Sequence, residues 1–108
     1  MTMARTVITL PERARRGDIV EVRCLIAHTM ETGYRNDDQG QRLPADLIRR
    51  FSCHYRGELV CGAELFAAIS ANPLLVFFVR ATESGPLDFR WEGDHGFTQR
   101  ESRTLTVL

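Results

Sequence analysis

The apolar residues of this chain recur at every second position, and that spacing decides what the backbone can become. Val20, Val22, Cys24 and Ile26 fall on one side of an extended segment while Glu21 and Arg23 fall on the other, the pattern of a strand with one buried and one wet face. Leu87-Asp88-Phe89-Arg90-Trp91-Glu92 repeats it without a fault, and Phe51, Cys53 and Tyr55 alternate with Arg50, Ser52 and His54. Turn residues mark further strands. Pro11 and Arg16-Gly17 divide Thr6 to Leu10 from the strand at Asp18, and Arg56-Gly57 closes a hairpin. Glu83 to Pro86 breaks the chain before Leu87, and Gly93 to Gly96 breaks it before a closing stretch from Phe97 to Leu108. About seven short strands follow, with one possible helical turn near Glu64 to Ser70. The expectation is an all-β fold, an immunoglobulin-like antiparallel β-sandwich without the Cys-Trp-Cys signature of antibody domains. At 108 residues it forms one domain, 1–108, large enough to build a core without staples.

Two stretches depart from a plain sandwich. His28 to Leu47 is a long, polar, glycine-containing connection, and loops of that length inside a small domain tend to be working surfaces or disordered. Leu74-Leu75-Val76-Phe77-Phe78-Val79 is apolar at every position. An antiparallel sheet normally turns one face to water, so such a strand needs a second cover. Either a partner protein supplies it or the loop from Leu65 to Ala71 folds over it.

The chemistry-bearing residues exclude more than they suggest. Fourteen basic residues, all arginine, balance fourteen acidic ones, so no net field gathers nucleic acid or an anionic membrane surface. Without lysine there is no Schiff base and no GK[ST] phosphate loop. His28, His54 and His95 show no metal-ligand spacing, and no metal or cofactor is expected. Cys24 and Cys53 read as small core residues. Cys53 and Cys61 flank the hairpin, and the two simple turn registers either put them on opposite faces or leave them diagonal, neither of which suits a disulfide. The carboxylates scatter over polar faces. No apolar run follows the basic start at Arg5, so no secretory signal is expected in the chain itself.

Three ordered stretches carry a resemblance: His28-Thr29-Met30-Glu31-Thr32-Gly33-Tyr34-Arg35, Glu64-Leu65-Phe66-Ala67-Ala68-Ile69-Ser70-Ala71-Asn72-Pro73, and Ala81-Thr82-Glu83-Ser84-Gly85. Together they resemble the SoxZ family, the non-catalytic half of the SoxYZ carrier of thiosulfate oxidation, over nearly the whole chain. The resemblance implies a subunit without catalytic residues that forms a heterodimer with a SoxY-like partner. In that family a glycine-rich arm of the partner carries a cysteine to which sulfur intermediates are attached, and other pathway enzymes visit it transiently. This sequence ends Leu105-Thr106-Val107-Leu108, which fits the Z half. Thr29 and Ala67 stand where many relatives have proline, and Arg56-Gly57 stands for a commoner asparagine-glycine turn. The resemblance also implies a periplasmic location, reached by export with a signal-bearing partner.

The partner-binding residues expected on these grounds fall in two sets. The first is Leu65, Phe66, Ile69, Ser70, Asn72, Pro73, Val76 and Phe78, with Phe66, Ile69 and Phe78 as anchors. The second is the loop edge Met30, Glu31, Thr32, Gly33, Tyr34 and Arg35. Two alternatives from other classes are a small cysteine-dependent sulfur-transfer enzyme using Cys24, Cys53 or Cys61, and a stand-alone β-sandwich binding module.

Overall fold

The alternating segments pair into two facing sheets in a computed structural model that describes residues 3–66 and 70–108. The strands are β1 (Thr6–Thr9), β2 (Arg13–Ala14), β3 (Ile19–Ile26), β4 (Ile48–Tyr55), β5 (Glu58–Glu64), β6 (Leu74–Arg80), β7 (Gly85–Gly93) and β8 (Thr98–Val107). One sheet runs β1-β3-β6 and the other β2-β8-β7-β4-β5. Every pairing is antiparallel except β2 with β8. The architecture is an immunoglobulin-like β-sandwich.

The inward rows read directly from the period of two. Val20, Val22, Cys24 and Ile26 of β3 face Phe51, Cys53 and Tyr55 of β4 and Leu87, Phe89 and Trp91 of β7, all buried. Phe51 ties the layers together: its ring centroid lies 5.3 Å from that of Trp91 and 6.0 Å from that of Phe77 on the opposite sheet. Tilted aromatic pairs of this kind add about 0.5–1.5 kcal/mol each beyond their area.

Polar clasps hold the ends. The buried Gln99 side chain accepts from the Ala4 N–H at 2.8 Å and donates to the Ala4 carbonyl at 2.8 Å, fixing the chain's entry to β1 against β8. Tyr55 donates its hydroxyl to the Glu83 carbonyl and accepts from the N–H groups of Thr82 and Glu83, which pins the β6–β7 turn.

Two local features differ from the sequence expectation. The segment after Pro11 is not only a turn: Arg13 and Ala14 lie parallel to Thr106 and Val107, with Leu108 N donating to Ala14 O at 2.9 Å. Two residues carry no readable period, so the strand leaves no trace in the sequence. Of the two turn registers open to the sequence, the two-residue one forms, with Arg56 (φ 51°) and Gly57 (φ 84°) both left-handed. A bulge then shifts the register between Cys53 and His54, so Cys53 lies opposite Cys61 rather than Val60. The inserted residue overturns the reading that no register brings these cysteines face to face.

The long connection from His28 to Leu47 is ordered by its own bonds. Glu31 bridges Asp46 and Asn36 bridges Arg42, while Asp37 Oδ1 accepts from Gln39 N and Gln41 N at 2.9 Å each. Gly33 turns at φ 91°, and a Cβ there would stand a tight 3.2 Å from the Ala45 Cβ, so the loop closes on itself at a position that favours glycine.

Candidate functional site

β6 resolves its double apolarity by splitting it. Val79 is buried, and Leu75 and Phe77 pack against the core, whereas Leu74, Val76 and Phe78 point outward and are 49%, 44% and 62% exposed. No described residue covers that outer row. Its neighbours across the sheet follow from the register: Leu74 beside Leu25 and then Val7, Val76 beside Arg23, and Phe78 beside Glu21. Val7 and Ile19 are also exposed. The outer face of β1-β3-β6 is therefore an apolar field crossed by Glu21, Arg23 and Arg80. β6 is also the sheet's edge, with β3 as its one strand neighbour among the described residues.

The expected partner-binding residues separate by what they touch. Val76 and Phe78 lie on this outer face, and Phe66, just past β5, is exposed. Ser70 and Asn72 are exposed, whereas Pro73 is buried and its carbonyl accepts from Ile26 N. Leu65 is buried in the chain's own core, so its side chain is not offered to a partner in this conformation. Ile69 lies outside the described residues.

The loop set divides similarly. Met30 is buried, and its Sδ accepts from Ile48 N at 3.4 Å. Its left-handed backbone (φ 54°) turns the one large apolar side chain of this stretch away from water. Tyr34 and Arg35 are exposed, and Glu31 holds Arg35 through a bidentate pair closing to 2.6 Å. The Arg35 guanidinium holds the Glu31 carboxyl below its usual range. Thr32 Oγ1 accepts from Tyr34 N.

The two sets meet at one end of the sandwich. Asn72 N donates to His28 O at 2.7 Å, and His28 N donates to Asn72 Oδ1 at 2.9 Å, so the entry to β6 is tied to the root of the long loop. The His28 ring accepts from Met30 N through Nδ1 at 3.0 Å, and its Nε2 lies 3.6 Å from Asp46 Oδ1. The exit of the loop is latched as well: Asp94 accepts from Leu47 N at 3.0 Å and from Arg49 at 2.9 Å. The Arg49 guanidinium is the main reason the Asp94 carboxyl is held low.

Sequence reasoning missed Val7, Ile19 and Leu25 as members of the uncovered field. Leu74 was legible as the first outward residue of β6. Val7 lies on β1, and Ile19 and Leu25 lie at the two ends of β3 with Glu21 and Arg23 between them on the same face, so only the register gathers them with β6.

Other chemistry is sparse. A shallow concavity of about 660 Å³ lies over β4, β7 and β8, where Arg90 and Arg100 are direct cross-strand partners among His54, Asp88 and Glu101. Among the described residues no three of His, Cys, Asp and Glu converge closely enough to hold a metal ion. Burial pushes the Cys24 and Cys53 thiols up to about 12, and it raises Cys61 as well.

Comparison with known proteins adds the family. Among solved structures the chain is similar to a superoxide reductase (neelaredoxin) from Ignicoccus hospitalis, at 15% identity and TM-score 0.76, covering 97% of this chain and 82% of that one. It is similar to the sulfur carrier protein SoxY from Chlorobium limicola f. thiosulfatophilum, at 15% identity and TM-score 0.69, covering 95% and 78%. A superoxide reductase (neelaredoxin) from Archaeoglobus fulgidus follows at 17% identity and TM-score 0.58, covering 96% and 87%. At such identities these likenesses establish the sandwich fold and no more. No curated protein sequence matches. The profile of the family described as sulphur oxidation protein SoxZ matches residues 8–104. Spanning every strand but the ends of the first and last, that match places the chain in the SoxZ family of sulfur oxidation.

Proposed function

We propose that this chain is the non-catalytic member of a sulfur-carrier heterodimer, binding a SoxY-like subunit that holds the covalently attached sulfur intermediates of thiosulfate oxidation. The observation that carries the reading is the outward row Leu74, Val76 and Phe78 on an edge strand, extended by Leu25 and Val7. A stable interface resembles a core cut in two and buries about 2,000 Å² or more when the pairing is obligate, and this field has the composition of such a core. Phe78, Val76 and Phe66 serve as anchors. Tyr34 and Arg35 form an edge contact with the partner or with pathway enzymes that dock transiently.

The thiols favour this role over a cysteine-dependent sulfur-transfer enzyme. A cysteine that turns over rapidly as an enzyme's nucleophile near neutral pH relies on a lowered pKa and an electropositive, accessible setting, whereas burial moves all three in the other direction and leaves them at most slow exchange. The pair works in the periplasm, exported together through the partner's signal.

The experiment is sizing of the purified chain alone and after mixing with a SoxY-like subunit whose tail ends in a glycine-rich cysteine arm. The expected result is one species with the mass of a heterodimer. A folded chain that elutes unchanged beside the partner overturns the reading and leaves a stand-alone sandwich. Fractionation of cells expressing both chains, with and without the partner's signal, tests the location.

A further inference from the structure

Away from that surface, the chain's three thiols gather in one part of the core. Cys24 projects from β3, Cys53 from β4 and Cys61 from β5, and each belongs to the packed interior or borders it. Cys53 and Cys61 are direct cross-strand partners. Leu65 N donates to Arg49 O across the same two strands, and counting the alternation from that bond makes Cys53 and Cys61 a hydrogen-bonded pair, whose Cα atoms stand about 5.5 Å apart. Disulfides span Cα separations of about 4.4–6.8 Å and Cβ separations of about 3.5–4.5 Å; the pair meets the first, and its Cβ atoms, about 4.5–5.5 Å apart in such a register, close the remainder by a small local shift of the edge strand β5. The two side chains lie on the same face of the sheet because they are register partners.

Their exposure differs in a way that sets an order. β5 is the edge of the five-stranded sheet, and Cys61 on it is half-buried, whereas Cys53 and Cys24 are fully buried. Cys24 has a different engagement, its thiol donating to the Leu75 carbonyl at 3.7 Å.

We propose that Cys61 and Cys53 form an edge-to-core dithiol that accepts low-molecular-weight disulfides and closes into a cross-strand disulfide. In the first step the Cys61 thiolate attacks one sulfur of the small disulfide. The reagent's S–S bond breaks, a mixed disulfide forms on Cys61, and one small thiolate leaves and takes up a proton. In the second step the Cys53 thiolate, its proton lost to solvent, attacks Cys61 Sγ and displaces the second small thiolate. The balance is two protein thiols oxidised and one small disulfide reduced to two thiols. Cys24 stays a thiol. Burial disfavours the thiolates, so the exchange is slow and speeds up as pH rises.

The test uses the folded full chain, incubated with oxidised glutathione at about pH 8.5, quenched with acid and read by intact mass and peptide mapping. The expected product is lighter by two hydrogens, linked Cys53 to Cys61, with Cys24 free, and it appears more slowly at neutral pH. The variant Cys53→Ser stops at a glutathione adduct on Cys61, and near-ultraviolet circular dichroism of Trp91 reports whether its core is intact. The unsubstituted chain decides the matter alone. A lasting adduct on its Cys61, a link to Cys24, or no reaction without denaturant overturns the proposal.

Discussion

Gln99 is the polar residue on which the most depends. It is 3% exposed and satisfies both backbone groups of Ala4 through one amide. Replacing it by leucine keeps the volume and removes both partners, leaving a donor and an acceptor beside a buried apolar side chain. A loss of about 1–3 kcal/mol is expected, measured as a lower urea midpoint, with hydrogen exchange rising first in the amides of β1. Alternation places Gln99 inward, on the row with Leu105, yet a glutamine in a strand reads as a wet residue. Its role was not legible because the group it satisfies lies 95 positions away. Met30 is the reverse case. It sits in a polar stretch that looks like an exposed rim, and the left-handed turn at its own backbone sends it into the core.

At the scale of elements, strands with a clean period were legible and single insertions were not. β3, β4 and β7 follow the sequence pattern to within a residue or two of their ends, since one buried face fixes every side chain along a strand. The bulge opposite Cys53 and the two-residue β2 have no periodic signal, and both depend on bonds to distant strands. The loop from His28 to Leu47 was legible as a loop, but not as one tied down at both ends. Its exit latch at Asp94 is expected to make stability acid-sensitive. Arg49 holds the folded Asp94 carboxyl below its ordinary value. The contribution is thus complete above about pH 4, and it is lost as pH falls through the lowered folded value. Urea midpoints taken across this range should show the parent falling toward an Asp94→Asn variant as acid is added, with the gap between them widest at neutral pH. Arg49 is half-exposed, so the gap should be small and narrow further in high salt.

The whole molecule is longer than its residue count requires. Its radius of gyration is 16.2 Å and its extents are 58 × 24 × 19 Å, against about 13 Å for a compact domain of this size. Two thin sheets of long strands make a body with much surface per residue, and one of its faces is greasy. Sequence patterning foretold the doubly apolar strand but not the direction of its outward row, because either set of alternate residues could have faced the core. The orientation now makes Phe78 a clean probe of pairing. Phe78→Arg replaces an exposed ring, so the circular dichroism spectrum and melting temperature should stay close to the parent's. Affinity for a SoxY-like subunit should fall by roughly 2 kcal/mol or more, about thirtyfold, if the ring is an anchor. Unchanged binding would move the interface elsewhere on the molecule.

The bare rim of β6 has a further consequence for how such a chain behaves alone. A terminal strand that has one strand neighbour among the described residues, together with an oily flank, is also a template for its own kind. Copies left uncovered on this side are therefore expected to self-associate as their concentration rises, a tendency that light scattering of the purified chain would register.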